Sequence, residues 1–200
     1  MTATRRTVLL ATPALLLAAG PLRAQAPADP RMGDRADGKP DAKVTIQEWY
    51  SMTCPHCARF ARDVYPRVKS ELIDTGKIRY IWKDYPLDSV ALLAAAVARS
   101  LPPERYEPFV MTLFATQDRW AFDRTVDQTE ELAKMAALAG MPRSAFDRVA
   151  NDDALKTAIL TEQKRGEDKY KIDATPTFVN GTKTKSGELT FDEFKAFALS

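Results

Sequence analysis

The chain alternates between short runs with strand periodicity and longer runs with helical periodicity. Residues 44–50 are rich in β-forming side chains and predict a strand. Residues 57–75 carry apolar side chains at helical spacing and predict a helix, which Pro66 should kink. Residues 77–83 alternate again and predict a second strand. Such a strand–helix–strand unit is most often parallel, with a right-handed crossover.

From residue 89 to residue 170 the apolar spacing is helical throughout, and Pro, Gly and Asn residues divide it into segments. We predict five helices, which together form a helical subdomain inserted over residues 89–170. The predicted helices are Ser89–Ser100, Glu104–Gln117, Asp127–Ala139, Arg143–Ala150 and Asp153–Tyr170.

The last thirty residues return to strand spacing. Residues 177–180 predict a strand, the Asn-Gly pair that follows predicts a hairpin turn, and residues 183–188 can form the second arm. Thr190 and Glu193 have the spacing of a capping box, which predicts a last helix. The whole pattern predicts an α/β fold: strand, helix and strand, then a hairpin and a C-terminal helix. Its two parts are residues 43–88 and residues 171–200.

The first 26 residues have the pattern of a cleaved export signal. Arg5 and Arg6 precede an apolar run, residues 7–20, which is too short to cross a bilayer as a helix. The small-x-small sequence that follows predicts cleavage after Ala26. A twin-arginine export route and the ordinary secretory route are both compatible with this pattern. A buried core helix is less favoured, because Pro and Gly interrupt the run.

Removal of the signal changes the charge of the chain. The full sequence has a net charge of +2, and cleavage removes three arginines and no acidic residue. The mature chain is therefore close to neutral, which favours neither a nucleic acid nor an anionic membrane as a partner. Residues 27–42 are polar and contain Pro and Gly, and we expect them to form a flexible N-terminal arm.

One four-residue motif, Cys54-Pro55-His56-Cys57, contains both cysteines and the only histidine of the chain. It lies where the first predicted strand ends and the crossover helix begins, and Pro55 suits the first helical turn. Unpaired N–H groups at a helix N-terminus stabilise a thiolate, so Cys54 is the predicted nucleophile. Cys57 lies one turn later and is the predicted resolving thiol. His56 would place a hydrogen-bond donor close to the Cys54 sulfur.

Three other uses of this motif are weaker. A zinc site needs about four ligands, and the chain has no second cysteine pair or histidine to complete one. Covalent haem attachment needs a histidine directly after the second cysteine, where Ala58 stands. A structural disulfide across two intervening residues closes a very small loop and adds little stability. Redox chemistry with no metal and no cofactor explains the motif best.

The pattern alone leaves the roles of two further sites undecided. Glu48 lies six residues before Cys54, either buried below the dithiol, where its pKa would rise, or on the surface, which the pattern slightly favours. Lys83 could pair with it, although a solvated lysine is favoured. The Thr175-Pro176 bond precedes the third predicted strand. Because most X–Pro peptide bonds in folded proteins are trans, we predict a trans bond here.

With these motifs in view, the sequence resembles the DsbA-like thiol:disulfide oxidoreductases of the thioredoxin superfamily. The resemblance covers residues 44–197 and is closest to the single-domain branch typified by BdbD. The motifs that carry it, in order, are Glu48-Trp-Tyr-Ser-Met-Thr-Cys-Pro-His-Cys57, Lys83-Asp-Tyr-Pro-Leu87 and Ala174-Thr-Pro-Thr-Phe178.

This resemblance implies a thioredoxin fold and a role for each residue of the site. Cys54 corresponds to the exposed attacking cysteine and Cys57 to the buried one. Glu48 corresponds to the buried acid of the superfamily. Pro176 corresponds to the cis-proline beside the dithiol, and with Thr175 it would offer backbone hydrogen bonds to an extended substrate.

The expected function is that of an exported, periplasmic thiol oxidase. It would transfer the Cys54–Cys57 disulfide to reduced or unfolded exported proteins through a mixed disulfide on Cys54. A membrane partner of the DsbB or VKOR type would reoxidise the dithiol. An isomerase or reductase is the alternative within the same chemistry, although residues 27–43 are too few for a dimerisation domain and favour a monomer. A dithiol metal-binding chaperone is the alternative from another class.

Overall fold

A five-stranded sheet forms the centre of the computed structural model, which describes residues 29–200. The predicted signal and its cleavage site lie outside the described residues. The strands follow the order β1-β3-β2-β4-β5, with β2 parallel to β3 and the other neighbouring pairs antiparallel. Their bounds are β1 Arg35–Asp37, β2 Val44–Tyr50, β3 Ile78–Asp84, β4 Thr177–Asn180 and β5 Lys183–Ser186.

The crossover from β2 to β3 is helical but irregular. It begins at α1, Pro55–Arg59, and continues as a π-helical turn, Phe60–Val64, before α2, Tyr65–Val68. A second π-helical turn, Lys69–Ile73, completes it. Pro66 has no N–H to donate to the preceding turn, which accounts for the first irregularity. The kink was predicted, but the helix begins two residues earlier and ends two residues earlier than the spacing indicated.

The stretch between the two sheet halves is helical, as predicted. Three predicted helices have the expected bounds, two differ by one or two residues, and the short α5 was not predicted as a separate element. The helices are α3 Ser89–Ser100, α4 Pro103–Ala115, α5 Gln117–Trp120, α6 Gln128–Leu138, α7 Arg143–Ala150 and α8 Asp153–Tyr170. These helices pack mainly on one another and on the crossover segment, and α8 also contacts β3.

The C-terminal part follows the prediction closely. β4 and β5 form the hairpin, although β5 ends at Ser186 rather than at residue 188. The capping box is present, because Thr190 accepts a hydrogen bond from the Glu193 backbone and the Glu193 carboxylate accepts one in return. The last helix, α9 (Phe191–Ala198), buries Phe194 against the ring of Phe178 from β4. This packing closes one face of the sheet.

The prediction of a flexible arm over residues 27–42 is wrong for its central part. Arg35–Asp37 form the edge strand β1, antiparallel to β3. Arg99 of α3 is buried, pairs with Asp84, and donates to two backbone carbonyls of the segment before β1. Arg35 in turn donates to the Arg99 carbonyl, 2.7 Å away. Arg99 lies more than 60 residues after this segment, so the polar composition of residues 27–42 did not indicate that Arg99 fixes it in place.

Candidate active site

The Cys54-Pro55-His56-Cys57 motif lies at the carboxyl end of β2, on the first turn of α1. Cys54 is the N-cap, with extended backbone dihedral angles (φ −84°, ψ 119°), and Pro55 is the first helical residue, as predicted. The Ala58 N–H donates to the Cys54 carbonyl at 3.1 Å, which is the first hydrogen bond of the helix. The free N–H groups of this turn therefore lie beside the Cys54 sulfur.

The Cys54 thiol is the more acidic of the two, although both cysteines are in the dithiol form. Its pKa is lowered from 9.0 to about 5, chiefly by a hydrogen bond from the Cys57 thiol. Thr175 and the backbone N–H groups of Cys57 and His56 lower the pKa further, against the opposing effect of burial. Cys54 is consequently a thiolate at neutral pH.

Cys54 is more enclosed than the resemblance implied. The residue is only 4% exposed, and its sulfur lies 3.3 Å from the carbonyl oxygen of Thr175. Cys57 is fully buried, and burial, the hydrogen bond to Cys54 and the charge of Glu48 all raise the pKa of its thiol. The pKa shifts of the two neighbouring thiols are therefore opposite in direction.

Glu48 is buried at the centre of the sheet, so the surface position that the pattern slightly favoured is wrong. It is 1% exposed on β2, which is flanked by β3 and β4. The Tyr80 hydroxyl donates to one carboxyl oxygen, and the other has no hydrogen-bond partner within residues 29–200. Burial raises the pKa of Glu48 to about 8, so the carboxyl is mostly protonated at neutral pH.

The pattern failed at Glu48 because both faces of β2 are covered. Ile46 and Tyr50, on the same side as Glu48, lie in the main hydrophobic core. Trp49, on the opposite side, packs in a smaller cluster with Tyr85. Strand alternation distinguishes a buried from a solvated face and gives no answer where both faces are buried. Lys83, considered as a partner of Glu48, instead pairs with acidic groups at the surface.

The Thr175-Pro176 peptide bond is cis, so the trans bond predicted from base preference is wrong and the family resemblance was the better guide. It places the Thr175 carbonyl against the Cys54 sulfur. The Thr175 hydroxyl is buried and has no partner within the described part of the chain. It is therefore free to donate to Cys54 once that thiol ionises.

The imidazole of His56 does not occupy the predicted position near the Cys54 sulfur. Its side chain is 60% exposed, and its Nδ1 lies 3.2 Å from the Glu188 carboxylate and 2.7 Å from an Arg59 guanidinium nitrogen. Arg59 also donates to Glu188, at 2.8 Å. The group of His56 that acts on Cys54 is its backbone N–H.

A groove of about 580 Å³ runs beside the dithiol, between α1 and the segment that joins β5 to α9. Its size and its position beside Thr175 suit an extended peptide segment. The lining residues are His56, Val64, Ala174, Thr175, Gly187, Glu188, Leu189 and Thr190.

Three residues of the site were missed from the sequence. Arg59 of α1 donates to Glu188, which lines the groove, and the Gln117 side chain on α5 donates to the Met52 and Cys54 carbonyls. Only contacts across more than 60 residues bring Glu188 and Gln117 here, and no local motif signals them. No group of three or more His, Cys, Asp or Glu side chains suited to a metal ion occurs in residues 29–200.

A mixed sheet with a dithiol at the N-terminus of the helix that joins its two parallel strands, beside a cis-proline, is the arrangement of thioredoxin-fold oxidoreductases. The family model described as Thioredoxin matches residues 31–198. The crystal structure of alpha-DsbA1 from Wolbachia pipientis is similar, with a TM-score of 0.76 and 30% identity, over 84% of this chain and 89% of that one. The chain belongs to the DsbA-like thiol:disulfide oxidoreductases of the thioredoxin family.

More distant relatives agree with this assignment. A putative protein-disulfide oxidoreductase of Rickettsia prowazekii is 28% identical over 155 residues, which are 76% of this chain and 56% of that protein. The chain thus spans little more than half the length of that curated relative. The structure of BdbD from Bacillus subtilis shares the fold, with a TM-score of 0.73 and 22% identity over 83% of this chain and 91% of that one.

Proposed function

We propose that the protein is a thiol oxidase that donates its Cys54–Cys57 disulfide to reduced protein substrates. The low pKa of the Cys54 thiol, about 5, is the observation that carries the proposal. A stabilised thiolate stabilises the reduced pair, and a stabilised reduced pair makes the disulfide a stronger oxidant. The fully buried Cys57 cannot meet a substrate directly, so exchange begins at Cys54.

The first step forms a disulfide bond between Cys54 and the substrate. A substrate thiolate attacks Cys54, the Cys54–Cys57 bond breaks, and a mixed disulfide forms on Cys54. Cys57 leaves as a thiolate in an apolar site where its pKa is raised, so it takes up a proton. Glu48 is mostly protonated at neutral pH, which makes it the proposed proton donor, and the carboxylate that remains after transfer raises the pKa of the Cys57 thiol by its charge.

The second step releases the oxidised substrate. A second substrate thiolate attacks the substrate sulfur of the mixed disulfide, and Cys54 leaves as the thiolate that its surroundings stabilise. Two electrons have then passed from the substrate to the protein, which holds Cys54 as a thiolate and Cys57 as a thiol. The first step leaves Glu48 as a carboxylate, which takes up a proton from solvent because its pKa is about 8. For reoxidation Glu48 must lose this proton again, so that its carboxylate can accept the one on Cys57.

We propose that the protein acts after export, in the periplasm, with its signal cleaved after Ala26. The substrates would be reduced or unfolded exported proteins, which would bind as extended segments beside Thr175 and Pro176. A membrane oxidase of the DsbB or VKOR type would restore the disulfide, and the protein would work as a monomer without a cofactor. No described helix, within residues 29–200, is long and apolar enough to cross a membrane.

An assay that follows two activities of one sample tests the proposed direction. The disulfide form is mixed with reduced, unfolded ribonuclease, and in parallel the dithiol form is mixed with scrambled ribonuclease. We expect rapid transfer of one disulfide per protein molecule in the first reaction and slow recovery of ribonuclease activity in the second. Fast recovery from the scrambled substrate, with little transfer to the reduced one, would instead identify an isomerase.

A further inference from the structure

The Gln117 side chain forms hydrogen bonds between the helical stretch and the backbone of residues 52–54, the turn that leads into the dithiol. It is the first residue of α5 and is 5% exposed. Its side-chain amide nitrogen donates to the Met52 carbonyl at 2.8 Å and to the Cys54 carbonyl at 3.1 Å. One buried amide thus uses both of its donors on backbone that lies more than 60 residues earlier in the chain.

The Cys54 carbonyl is hydrogen-bonded to two donors. It accepts the Gln117 amide and also the Ala58 N–H, so two donors fix its direction. The peptide group that contains this carbonyl connects Cys54 to Pro55, whose nitrogen has no hydrogen to donate. The next two N–H groups, of His56 and Cys57, are the backbone donors that act on the Cys54 sulfur.

The backbone of Cys54 is otherwise held lightly. Its N–H donates to the Ser51 carbonyl at 3.1 Å, within the same short turn. As the N-cap, Cys54 has extended rather than helical dihedral angles, so the regular hydrogen bonds of the helix do not fix its side chain. A rotation of the Cys54-Pro55 peptide would move the sulfur relative to the N–H groups that face it.

We propose that Gln117 is a positioning residue for the nucleophile: its amide holds the Cys54-Pro55 peptide so that the sulfur stays against the N–H groups of His56 and Cys57. The inference rests on the proposed function and deepens it, because it makes thiolate stabilisation depend on the helical stretch. A residue outside the sheet and the crossover helix then helps to set the oxidising power of the dithiol.

A purely structural role for Gln117 gives different results. If the amide only satisfies two buried carbonyls, its loss lowers the stability of the fold and leaves the acidity of Cys54 unchanged. If it positions the nucleophile, its loss reduces the fraction of thiolate in molecules that are still folded. Thermal unfolding reports the first property, and the pH dependence of Cys54 alkylation reports the second.

The main variant is Gln117→Met, which keeps the length of the side chain and removes both donors. Its matched control is Gln128→Met, because the Gln128 amide lies in the same helical stretch but donates to the Ala121 carbonyl rather than to the backbone of residues 52–54. We expect the pH midpoint of Cys54 alkylation to rise by about one unit in Gln117→Met, which corresponds to a tenfold increase in the affinity of the thiolate for a proton. The midpoint of Gln128→Met should equal that of the wild type.

A second variant, Gln117→Asn, keeps an amide in the buried position and so protects the test against misfolding. Its side chain is shorter by one methylene group and cannot span both carbonyls, so its midpoint should also rise. A wild-type midpoint in any folded Gln117 variant would overturn the proposal. Failure of the wild-type protein to oxidise a reduced substrate would reject the proposed function alone, since the comparison of midpoints among variants does not depend on it.

Discussion

Replacement of Cys54 by serine is expected to reduce the rate of substrate oxidation by at least about 100-fold, because it removes the nucleophile and the disulfide together. Cys54 is the thiol with the low pKa and the one beside the groove, whereas Cys57 is fully buried with a raised pKa. No other cysteine in the chain can replace it. Transfer of disulfides to a reduced peptide, followed by mass spectrometry, measures the loss.

The matched control for this prediction is Cys57→Ser, which also removes the disulfide but keeps the nucleophile. In this variant Cys54 can attack a substrate disulfide, and no second thiol is present to release the product. We expect a long-lived mixed disulfide, visible as a conjugate on a non-reducing gel. The assigned roles would be contradicted if the Cys54→Ser variant accumulated conjugates on Cys57 while the Cys57→Ser variant accumulated none on Cys54.

Replacement of Glu48 by glutamine is expected to stabilise the fold at alkaline pH. Burial raises the pKa of this carboxyl from 4.5 to about 8, so the folded protein binds the proton more tightly than the unfolded chain does. The resulting contribution to stability is complete below pH 4.5 and is lost as the pH rises through 8. A shift of this size corresponds to roughly 5 kcal/mol between pH 4 and pH 9.

Chemical denaturation of the disulfide form measures this effect without titration of the thiols. The wild type should lose stability as the pH rises, and Glu48→Gln should lose less, so that the two agree near pH 4 and differ most above pH 8. Glu71→Gln is the control, because this glutamate is half-exposed and pairs with Arg67 at the surface. A constant difference between wild type and Glu48→Gln over this range would show that Glu48 does not hold its proton.

The same variant separates the two halves of the catalytic cycle. Without the carboxyl, Cys57 loses the group proposed to exchange its proton, so oxidation of the dithiol should become slower by at least about tenfold. The reaction of the Cys54 thiolate with a small alkylating agent at neutral pH should change little. Stopped-flow measurement of oxidation by glutathione disulfide, beside the alkylation rate, distinguishes a proton carrier from a general disturbance of the site.

Much of the fold could be predicted because the residues that start and stop helices lie where the helical or strand spacing of apolar residues also changes. β2 has the predicted bounds, and α3, α7 and α8 begin directly after Asp88, Pro142 and Asp152, which interrupt the helical spacing. β1 was missed because a three-residue segment of Arg, Ala and Asp carries no strand signal of its own. Its pairing with β3 and its contact with the buried Arg99 arise only in the tertiary structure.

The active site could be predicted where the chemistry is local and not where it depends on distant contacts. The motif itself gave the two thiols and the helix N-terminus that acts on them. The burial of Glu48, the cis bond at Thr175-Pro176 and the contacts of Gln117 depend on neighbours that the sequence does not place. The side-chain role expected for His56 failed for the same reason, since Arg59 and Glu188 bind its imidazole.

The central claim is that Cys54 is a stabilised thiolate, and the pH dependence of its alkylation tests this claim most directly. The reduced protein is treated with iodoacetamide between pH 3 and pH 9, and the modified cysteine is identified by mass spectrometry. The predicted result is a midpoint near pH 5, with modification confined to Cys54. A midpoint near the ordinary value for a free cysteine, about 8.5, would contradict the claim.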